Sequence, residues 1–413
     1  MPFSLEVLRA RKGDCLIVHY GDDGDKRLML IDGGPSGVYA RHLRPRLEQL
    51  RHERVQDEQD PLAINVLMIS HVDDDHIQGI LELTRELRVQ KEGRQTPFVK
   101  VGSLWHNSFD EIVGATPRQL TASVQFGEAA LSGRVDVESV DDFDVASVLA
   151  SIPQGRRLRE DAQFLRWKVN RELGGKLVMA GKGSKAVELD GGLAVTLIGP
   201  LQPELVALQK AHDKWLEECE KRARTKAESA LAAFVDKSIP NLSSIVVLAR
   251  SRGRTMLLTG DARGDKILKG LKAARLLDDS DDSSLHVDVL KMPHHGSANN
   301  MEPVFLERVT ADHYVFSGDG EHGNPERATL EMLFDVRGGD EFDMHFTYPL
   351  AEIDAERKKD WEKEQAKERK RKKVDARADW SRARHALAPF LTPARLGRKR
   401  RMRFVDEETP HLL

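Results

Sequence analysis

The chain has 413 residues, of which 40% are hydrophobic and 32% are charged, and its formal net charge is −3. This composition allows a sizeable core beneath a highly charged surface. Two cysteines, Cys15 and Cys219, are too few and too distant for a disulfide framework or a thiolate metal site. Neither a secretory signal nor a run of ~18 apolar residues is present, so we expect a cytoplasmic protein without membrane association.

The first predicted elements form a β-hairpin. Residues 16–20 and 28–31 are typical of strands, and the Gly- and Asp-rich segment 21–25 predicts the loop between them. The second strand ends at Asp32, which is followed by two glycines, and a helix is predicted over residues 37–52.

A run of metal-binding residue types follows the next predicted strand. Residues 64–69 form an apolar stretch typical of a buried strand, and a helical apolar pattern begins at Ile77. Between them stand His71, Asp73, Asp75 and His76. A short turn between a strand and a helix can point several side chains at one spot. The alternative is a polar loop in which the acids are solvated and Asp75 caps the helix.

Polar residues also flank four later predicted strands, at 245–248, 255–258, 287–291 and 314–316. In chain order they are Asn241, Ser244, Asp261, His294, His295, Ser297, His322 and Asn324. This repetition distinguishes a functional site from scattered polar residues. For the adjacent histidines alone, a core residue beside a surface residue is the alternative.

Two segments, at about 110–185 and 203–238, predict helical insertions. A strand over residues 99–105 ends near His106, which we expect at the surface or in a pocket wall rather than among metal ligands.

These motifs resemble those of the metallo-β-lactamase superfamily. Its ligand loop usually reads His-x-His-x-Asp-His, and Asp73 stands where this pattern has its second histidine. The hydrolase domain of ComEC-like competence proteins shares that departure. The resemblance implies an α/β fold, an αββα four-layer sandwich, with a hydrolase domain over residues 1–350 and the two helical insertions within it.

The resemblance also implies roles for the residues. The expected metal ligands are His71, Asp73, Asp75, His76, Asp261 and His295, with Asp261 bridging two ions. Residues expected to hold these ligands by hydrogen bonds are Asp32, Asn241 and Ser244. The expected catalytic residues are Asp75, Asp261 and His294, and the expected substrate-binding residues are Ser297, His322 and Asn324. Only one of His294 and His295 is expected to be a ligand, and His295 is favoured. Asn324 stands where competence-type domains tend to have a histidine.

We expect two divalent metal ions at this site. With one of the adjacent histidines as a ligand, the set has three carboxylates and no thiolate, which favours Mn²⁺ or Mg²⁺, while Zn²⁺ stays open. Paired metals ~3.5–4 Å apart activate water and stabilise both oxygens of an in-line displacement on phosphorus.

Residues 351–413 predict a charged helix followed by a basic tail. Alternating acids and bases in the first half indicate ion pairs along an exposed helix. Segments 369–373 and 398–403 contain no acids and favour contact with phosphate backbones. The alternative is a solvated helix and tail.

The sequence therefore predicts a metal-dependent phosphodiesterase or nuclease that acts on nucleic acid, DNA in the first place, through a metal-activated water. Two alternatives stay open. One is a hydrolase of a small ester, lactone or cyclic nucleotide. The other is a non-catalytic sensor or protein partner in a bacterial defence or toxin system. The sequence does not define the oligomeric state.

Overall fold

The computed structural model describes residues 3–57, 59–107, 143–206, 243–280, 282–370, 376–405 and 411–412. Asn241 and large parts of the two predicted insertions lie outside the described residues.

Strands from both ends of the chain form the first sheet. Its six strands lie in the order β14-β1-β2-β3-β4-β5. They are β1 (Ser4–Val7), β2 (Leu16–Asp22), β3 (Asp25–Ile31), β4 (Leu62–Met68), β5 (Val99–Trp105) and β14 (His411–Leu412). The predicted hairpin is β2–β3, whereas β3, β4 and β5 run parallel.

The second sheet has eight strands in the order β13-β12-β11-β10-β9-β8-β7-β6. They are β6 (Val187–Leu189), β7 (Leu193–Gly199), β8 (Val246–Ser251), β9 (Arg254–Leu258), β10 (Leu285–Lys291), β11 (Val309–Phe316), β12 (Phe342–Phe346) and β13 (Arg400–Phe404). Strands β9 to β13 are parallel to their neighbours in this series, so their carboxyl ends share one edge of the sheet.

The helices connect these strands. They are α1 (Arg44–Arg54), α2 (Asp74–Glu92), α3 (Phe143–Leu165), α4 (Gly264–Ala273), α5 (Pro303–Arg308), α6 (Arg327–Val336), α7 (Leu350–Lys370), α8 (Arg382–His385) and α9 (Pro393–Leu396). Within the described ranges, none of these helices combines the length and apolarity needed to cross a bilayer.

Three apolar clusters establish the layering. One joins the facing sides of the two sheets, and it includes Val18 and Met29 with Val247 and Leu258. The other two lie between each sheet and its outer helices. The order of layers is therefore helix, sheet, sheet, helix, and the predicted four-layer α/β sandwich is confirmed.

The C-terminal residues join both sheets, where the sequence indicated a helix and a tail. After α7, strand β13 pairs in parallel with β12, and β14 pairs with β1. Asp343 of β12 holds β13 in place. Its buried carboxylate accepts hydrogen bonds from Arg401 and Arg403 of β13 at 2.7 and 2.9 Å. The second basic cluster is therefore partly balanced by an acid on the neighbouring strand.

Gly13 brings the turn before β2 against the predicted ligand loop. A Cβ atom on Gly13 would lie 1.7 Å from the backbone oxygen of Asp75. Only a glycine permits this approach, which places Asp14, the next residue, next to the ends of the second sheet.

Candidate metal centre

The loop between β4 and α2 presents its side chains from a rigid support. Helix α2 begins at Asp74, and Asp73 occupies the position before it without a bond from its side chain to the helix backbone. Asp75 lies in the first turn, so the helix-cap alternative does not describe it. His71 and His76 are both buried. The loop therefore directs two imidazoles and two carboxylates away from its own backbone.

Asp32 supports this loop through hydrogen bonds to Ser70 and a contact with His76. Its carboxylate accepts hydrogen bonds from the backbone nitrogen and the hydroxyl of Ser70 at 2.7 and 2.6 Å. The same carboxylate lies 2.8 Å from Nδ1 of His76. This contact fixes the ring and leaves Nε2 of His76 facing away from Asp32, which is the supporting role that the sequence predicts for Asp32.

The carboxylate of Asp261 lies between two pairs of histidines. Its Oδ1 is 3.5 Å from Nε2 of His76 and 3.5 Å from Nε2 of His295. Its Oδ2 is 3.5 Å from Nε2 of His294 and 3.9 Å from Nε2 of His71. Both adjacent histidines therefore face Asp261, on opposite oxygens, where the sequence indicated only one of them.

Two further acids complete the arrangement. Asp73 lies 3.4 Å from Nε2 of His71. Asp75 lies 3.8 Å from Nε2 of His76 and 3.9 Å from Nε2 of His295. The side chains thus divide into two sets that share Asp261. Ligand set A comprises His71, Asp73 and His294 on the Oδ2 side of Asp261. Ligand set B comprises Asp75, His76 and His295 on the Oδ1 side of Asp261.

The donor atoms in the middle are buried and lack hydrogen bonds. Among the described residues this holds for Nε2 of His71, His76 and His295 and for Oδ1 of Asp261. Buried polar atoms are ordinarily paired, and separations of 3.4–3.9 Å are too long for good hydrogen bonds. Converging imidazole nitrogens and carboxylate oxygens with this spacing fit divalent metal ions.

Electrostatics at the centre favour cations. Burial raises the pKa of Asp261, but His295, His76 and His294 lower it more, so the net pKa is well below its ordinary value. Burial lowers the pKa of His295, but chiefly Asp261 raises it, to about 9. The Asp261 carboxylate therefore requires positive charge beside it, which protonated histidines can supply and which metal ions would supply instead, with release of the histidine protons.

Backbone strain accompanies the two adjacent histidines. His294 and His295 have φ angles of 48° and 55°, in the left-handed region that non-glycine residues rarely adopt. The backbone nitrogen of His294 donates to the oxygen of Gly260 at 3.1 Å, which holds this turn against the strand that carries Asp261. The strain turns both rings toward the same carboxylate.

Lys291 and Asp14 form a buried ion pair beside ligand set B. Lys291 Nζ lies 2.5 Å from Asp14 and donates to the oxygen of Gly260 at 3.0 Å. Asp14 lies 3.4 Å from Nδ1 of His295. The sequence predicted no role for Asp14 or Lys291. The available signal was Lys291 itself, a charged residue between the apolar residues Leu290 and Met292 at the end of β10.

The other predicted supporting residues lie nearby. The hydroxyl of Ser244 accepts a 3.3 Å hydrogen bond from the backbone nitrogen of Asp261. Asn241 is outside the described residues. His106 is buried at the end of β5, close to Val72, and belongs to the wall beside the ligand loop rather than to the surface.

The predicted substrate-binding residues do not join the two ligand sets. Ser297 is buried and donates to Glu326 at 3.0 Å. His322 lies 3.3 Å from Nζ of Lys12, and Asn324 is buried. Their assignment to substrate binding stays a prediction.

A second group of His313, Asp343 and His345 also has metal-binding composition. Its carboxylate already accepts hydrogen bonds from Arg401 and Arg403. Two guanidinium groups beside the only acid of the group oppose a cation there, so we assign it a structural role.

Comparison with known families agrees with the fold and the ligand loop. Residues 9–146 match a sequence model described as the metallo-beta-lactamase superfamily. None of the curated proteins compared with the chain matches it.

Several solved structures align over most of the chain. The metallo-beta-lactamase fold protein YhfI from Bacillus subtilis aligns with 84% of this chain and 97% of its own, with 11% identity and a TM-score of 0.35. A protein described as a metal-dependent hydrolase from Parabacteroides distasonis aligns with 84% and 98%, with 9% identity and a TM-score of 0.29. Zn²⁺-bound PqqB from Methylobacterium extorquens aligns with 74% and 75%, with 15% identity and a TM-score of 0.28.

These TM-scores are too low to support any argument about a shared site. The assignment depends instead on the matched sequence and on the two stacked sheets with outer helices. The match places residues 9–146 in the metallo-β-lactamase superfamily.

Proposed function

We propose that the chain is a metal-dependent phosphodiesterase that acts on nucleic acid, with DNA as the first candidate. Superfamily membership and the converging ligand atoms indicate a metal-dependent hydrolase. The observation that supports the finer proposal is the placement of Asp261, whose two oxygens face two separate ligand sets. When bound, a pair of divalent ions would activate water and stabilise the attacking and leaving oxygens of a phosphodiester.

The residues of the chain have distinct parts in this proposal. Ligand sets A and B would each hold one ion, and Asp261 would keep the two ions adjacent. Asp32 fixes the His76 ring, and Lys291 balances the negative charge of Asp14 near Asp261. His294 has 28% of its side chain exposed, against 3% or less for the other three histidines of the centre. It is therefore the imidazole that a substrate can reach from solvent.

The donor set is less rich in oxygen than the sequence analysis indicated. Four imidazoles and three carboxylates face one another, because His294 and His295 both take part. Imidazole suits Zn²⁺ as well as Mn²⁺, so the structure does not strengthen the expected preference for Mn²⁺. The assay must therefore vary the metal ion.

Exposed positive charge supports a polyanionic substrate. Arg401 and Arg403 share one buried carboxylate, and their side chains remain 61% and 47% exposed. Arg398 and Lys399 are also exposed. Such a cluster would attract a phosphate backbone through counterion release.

The test is hydrolysis by the purified full chain, supplied with Mn²⁺, Mg²⁺ or Zn²⁺. The substrates are single- and double-stranded DNA and RNA, a nitrophenyl phosphodiester and a nitrophenyl carboxylic ester. Phosphodiester cleavage that disappears in Asp75→Asn is the expected result. Cleavage of the carboxylic ester alone would favour the small-ester alternative. Metal binding without hydrolysis of any of these substrates would favour the non-catalytic alternative.

A further inference from the structure

The two ligand sets differ in how their histidines are held. In ligand set B, Nδ1 of His76 lies 2.8 Å from the buried carboxylate of Asp32. Nδ1 of His295 lies 2.9 Å from the hydroxyl of Ser317 and 3.4 Å from the carboxylate of Asp14. The His76 ring is therefore oriented by a carboxylate and the His295 ring by a hydroxyl beside a second carboxylate, and both rings point Nε2 toward Asp261.

The histidines of ligand set A have weaker support. Nδ1 of His71 lies 3.0 Å from the neutral hydroxyl of Ser70. Nδ1 of His294 is buried without a hydrogen bond among the described residues. No carboxylate in the described part of the chain orients either ring through Nδ1.

The ligand atoms of set B are also better preorganised for a metal ion than those of set A. Ligand atoms of Asp75, His76 and His295 all lie within 4.8 Å of one another. His294 and Asp73 belong to no such group within the described ranges. The formal charges do not offset this difference, because each set has one aspartate of its own, both share Asp261, and the Lys291–Asp14 pair beside ligand set B has no net charge.

We infer that the centre binds its two metal ions with unequal affinity, with a tight ion in ligand set B and a weak, exchangeable ion in ligand set A. Carboxylates that orient metal-binding histidines fix the tautomer and raise the basicity of the ring, and loss of one typically weakens metal affinity 10–100-fold. Ligand set B has one such partner, Asp32 on His76, with Asp14 3.4 Å from Nδ1 of His295, and ligand set A has none among the described residues. The weak ion is also beside the histidine that solvent reaches, so metal supply would regulate occupancy of set A.

This inference depends on metal binding at the proposed centre and is independent of the substrate. The test is equilibrium dialysis of the chelator-treated full chain against increasing Mn²⁺ or Zn²⁺, with bound metal measured by mass spectrometry. We expect two classes of one ion each, separated by at least about 10-fold in dissociation constant. Two ions of equal affinity would overturn the inference and leave the proposed function standing, whereas absence of bound metal would overturn both.

Single-residue variants show which ligand set binds each class of ion. His294→Ala should abolish the weak class and leave the tight class unchanged. Asp14→Asn and Ser317→Ala, which alter the two groups nearest Nδ1 of His295, should each weaken the tight class by up to about 10–100-fold. Asp74→Asn on the same loop is the matched control, because Asp74 accepts from Gln78 and Gln154 and faces no ligand atom of the centre. Loss of the tight class in His294→Ala, or an unchanged tight class in a folded Ser317→Ala, would overturn the assignment.

Discussion

The ammonium group of Lys291 lies 2.5 Å from the carboxylate of Asp14, and both side chains are almost completely buried. Lys291 ends a strand of the second sheet, whereas Asp14 precedes the first long strand of the other sheet. Burial alone would lower the pKa of Lys291, but Asp14 and Asp261 raise it, and the net pKa is above its ordinary value. The pair is therefore charged, and it connects the two sheets at the floor of the metal centre.

Replacing Lys291 should destabilise the whole fold. Lys291→Met leaves the buried Asp14 without its cation, and breaking a buried pair in this way costs about 3–5 kcal/mol. Urea unfolding at neutral pH measures the change. Lys272→Met is the matched control, because Lys272 pairs at 2.8 Å with an Asp279 side chain that is 96% exposed. We expect the control to change stability by about 1 kcal/mol or less, and equal effects of the two variants would contradict the prediction.

Substitutions of the adjacent residues Asp74 and Asp75 should affect turnover differently. Asp75→Asn removes a carboxylate of ligand set B, so turnover should fall by more than the 10–100-fold that loss of an outer-sphere partner costs. Asp74→Asn is isosteric and keeps most contacts to Gln78 and Gln154, so its turnover should remain near that of the unaltered chain. Initial rates on a nitrophenyl phosphodiester, with circular dichroism to check folding, test both. Comparable losses in the two variants would remove Asp75 from the centre.

A second buried charge cluster predicts acid sensitivity. Glu6 is fully buried and contacts Arg46 at 2.6 Å and His19 at 2.7 Å. Burial raises its pKa, but His19 and Arg46 lower it more, and the net pKa is below the ordinary value. Because the folded-state pKa is lowered, the carboxylate stabilises the fold above the unfolded-state pKa of ~4.3, and this stability is lost as pH falls further.

Glu6→Gln measures that contribution directly. At pH 7 it should cost about 3–5 kcal/mol, because Arg46 loses its buried partner. The stability difference from the unaltered chain should persist down to about pH 5 and shrink below about pH 4. Glu48→Gln, at a half-exposed position that pairs with Arg44, is the control and should show a small difference throughout. A Glu6→Gln difference that does not decrease in acid would contradict the assigned charge state.

The exposed basic residues before β13 should contribute to nucleic-acid affinity. Arg398→Gln combined with Lys399→Gln removes two positive charges without touching the arginines that pair with Asp343. If both residues contact phosphates, binding to duplex DNA weakens and the log–log salt slope decreases by about 0.9 for each lost contact. Fluorescence anisotropy over a range of salt concentrations measures both quantities.

The control for that experiment removes the same charge elsewhere. Lys26→Gln with Lys100→Gln alters two exposed lysines of the first sheet and should leave the slope unchanged. Equal slopes in the two double variants would mean that the cluster near β13 has no special part in binding. Truncating the C-terminal segment is a poorer test, because β13 and β14 belong to the sheets.

Local patterns predicted much of the centre. The loop from His71 to His76 stood out as a candidate because its metal-binding residue types are nearly contiguous and lie between an apolar strand and a helix. Asp261 and the adjacent histidines followed from polar residues at the ends of predicted strands. Their assignment was incomplete, because the left-handed backbone that turns both His294 and His295 toward Asp261 has no signal in residue type alone.

Long-range pairing explains what the sequence did not reveal. Asp14 finds Lys291 only after the two sheets stack, and the arginines of β13 find Asp343 only after β12 and β13 pair. Before those contacts are known, Asp14 resembles an ordinary turn residue and the arginines resemble an uncompensated tail. Composition and spacing therefore misjudge charged residues whose partners are distant in the sequence.

The candidate ligands are divided between the two sheets, so metal binding would be coupled to assembly of the sandwich. His71, Asp73, Asp75 and His76 follow β4 of the first sheet, whereas Asp261, His294 and His295 follow strands of the second. Neither half of the sandwich contains either ligand set in full. Bound ions would therefore act as cross-links between the halves, and they would raise the melting temperature by mass action as the free metal concentration exceeds the dissociation constant. A fragment that contains only one sheet should lack high-affinity metal binding even if it folds.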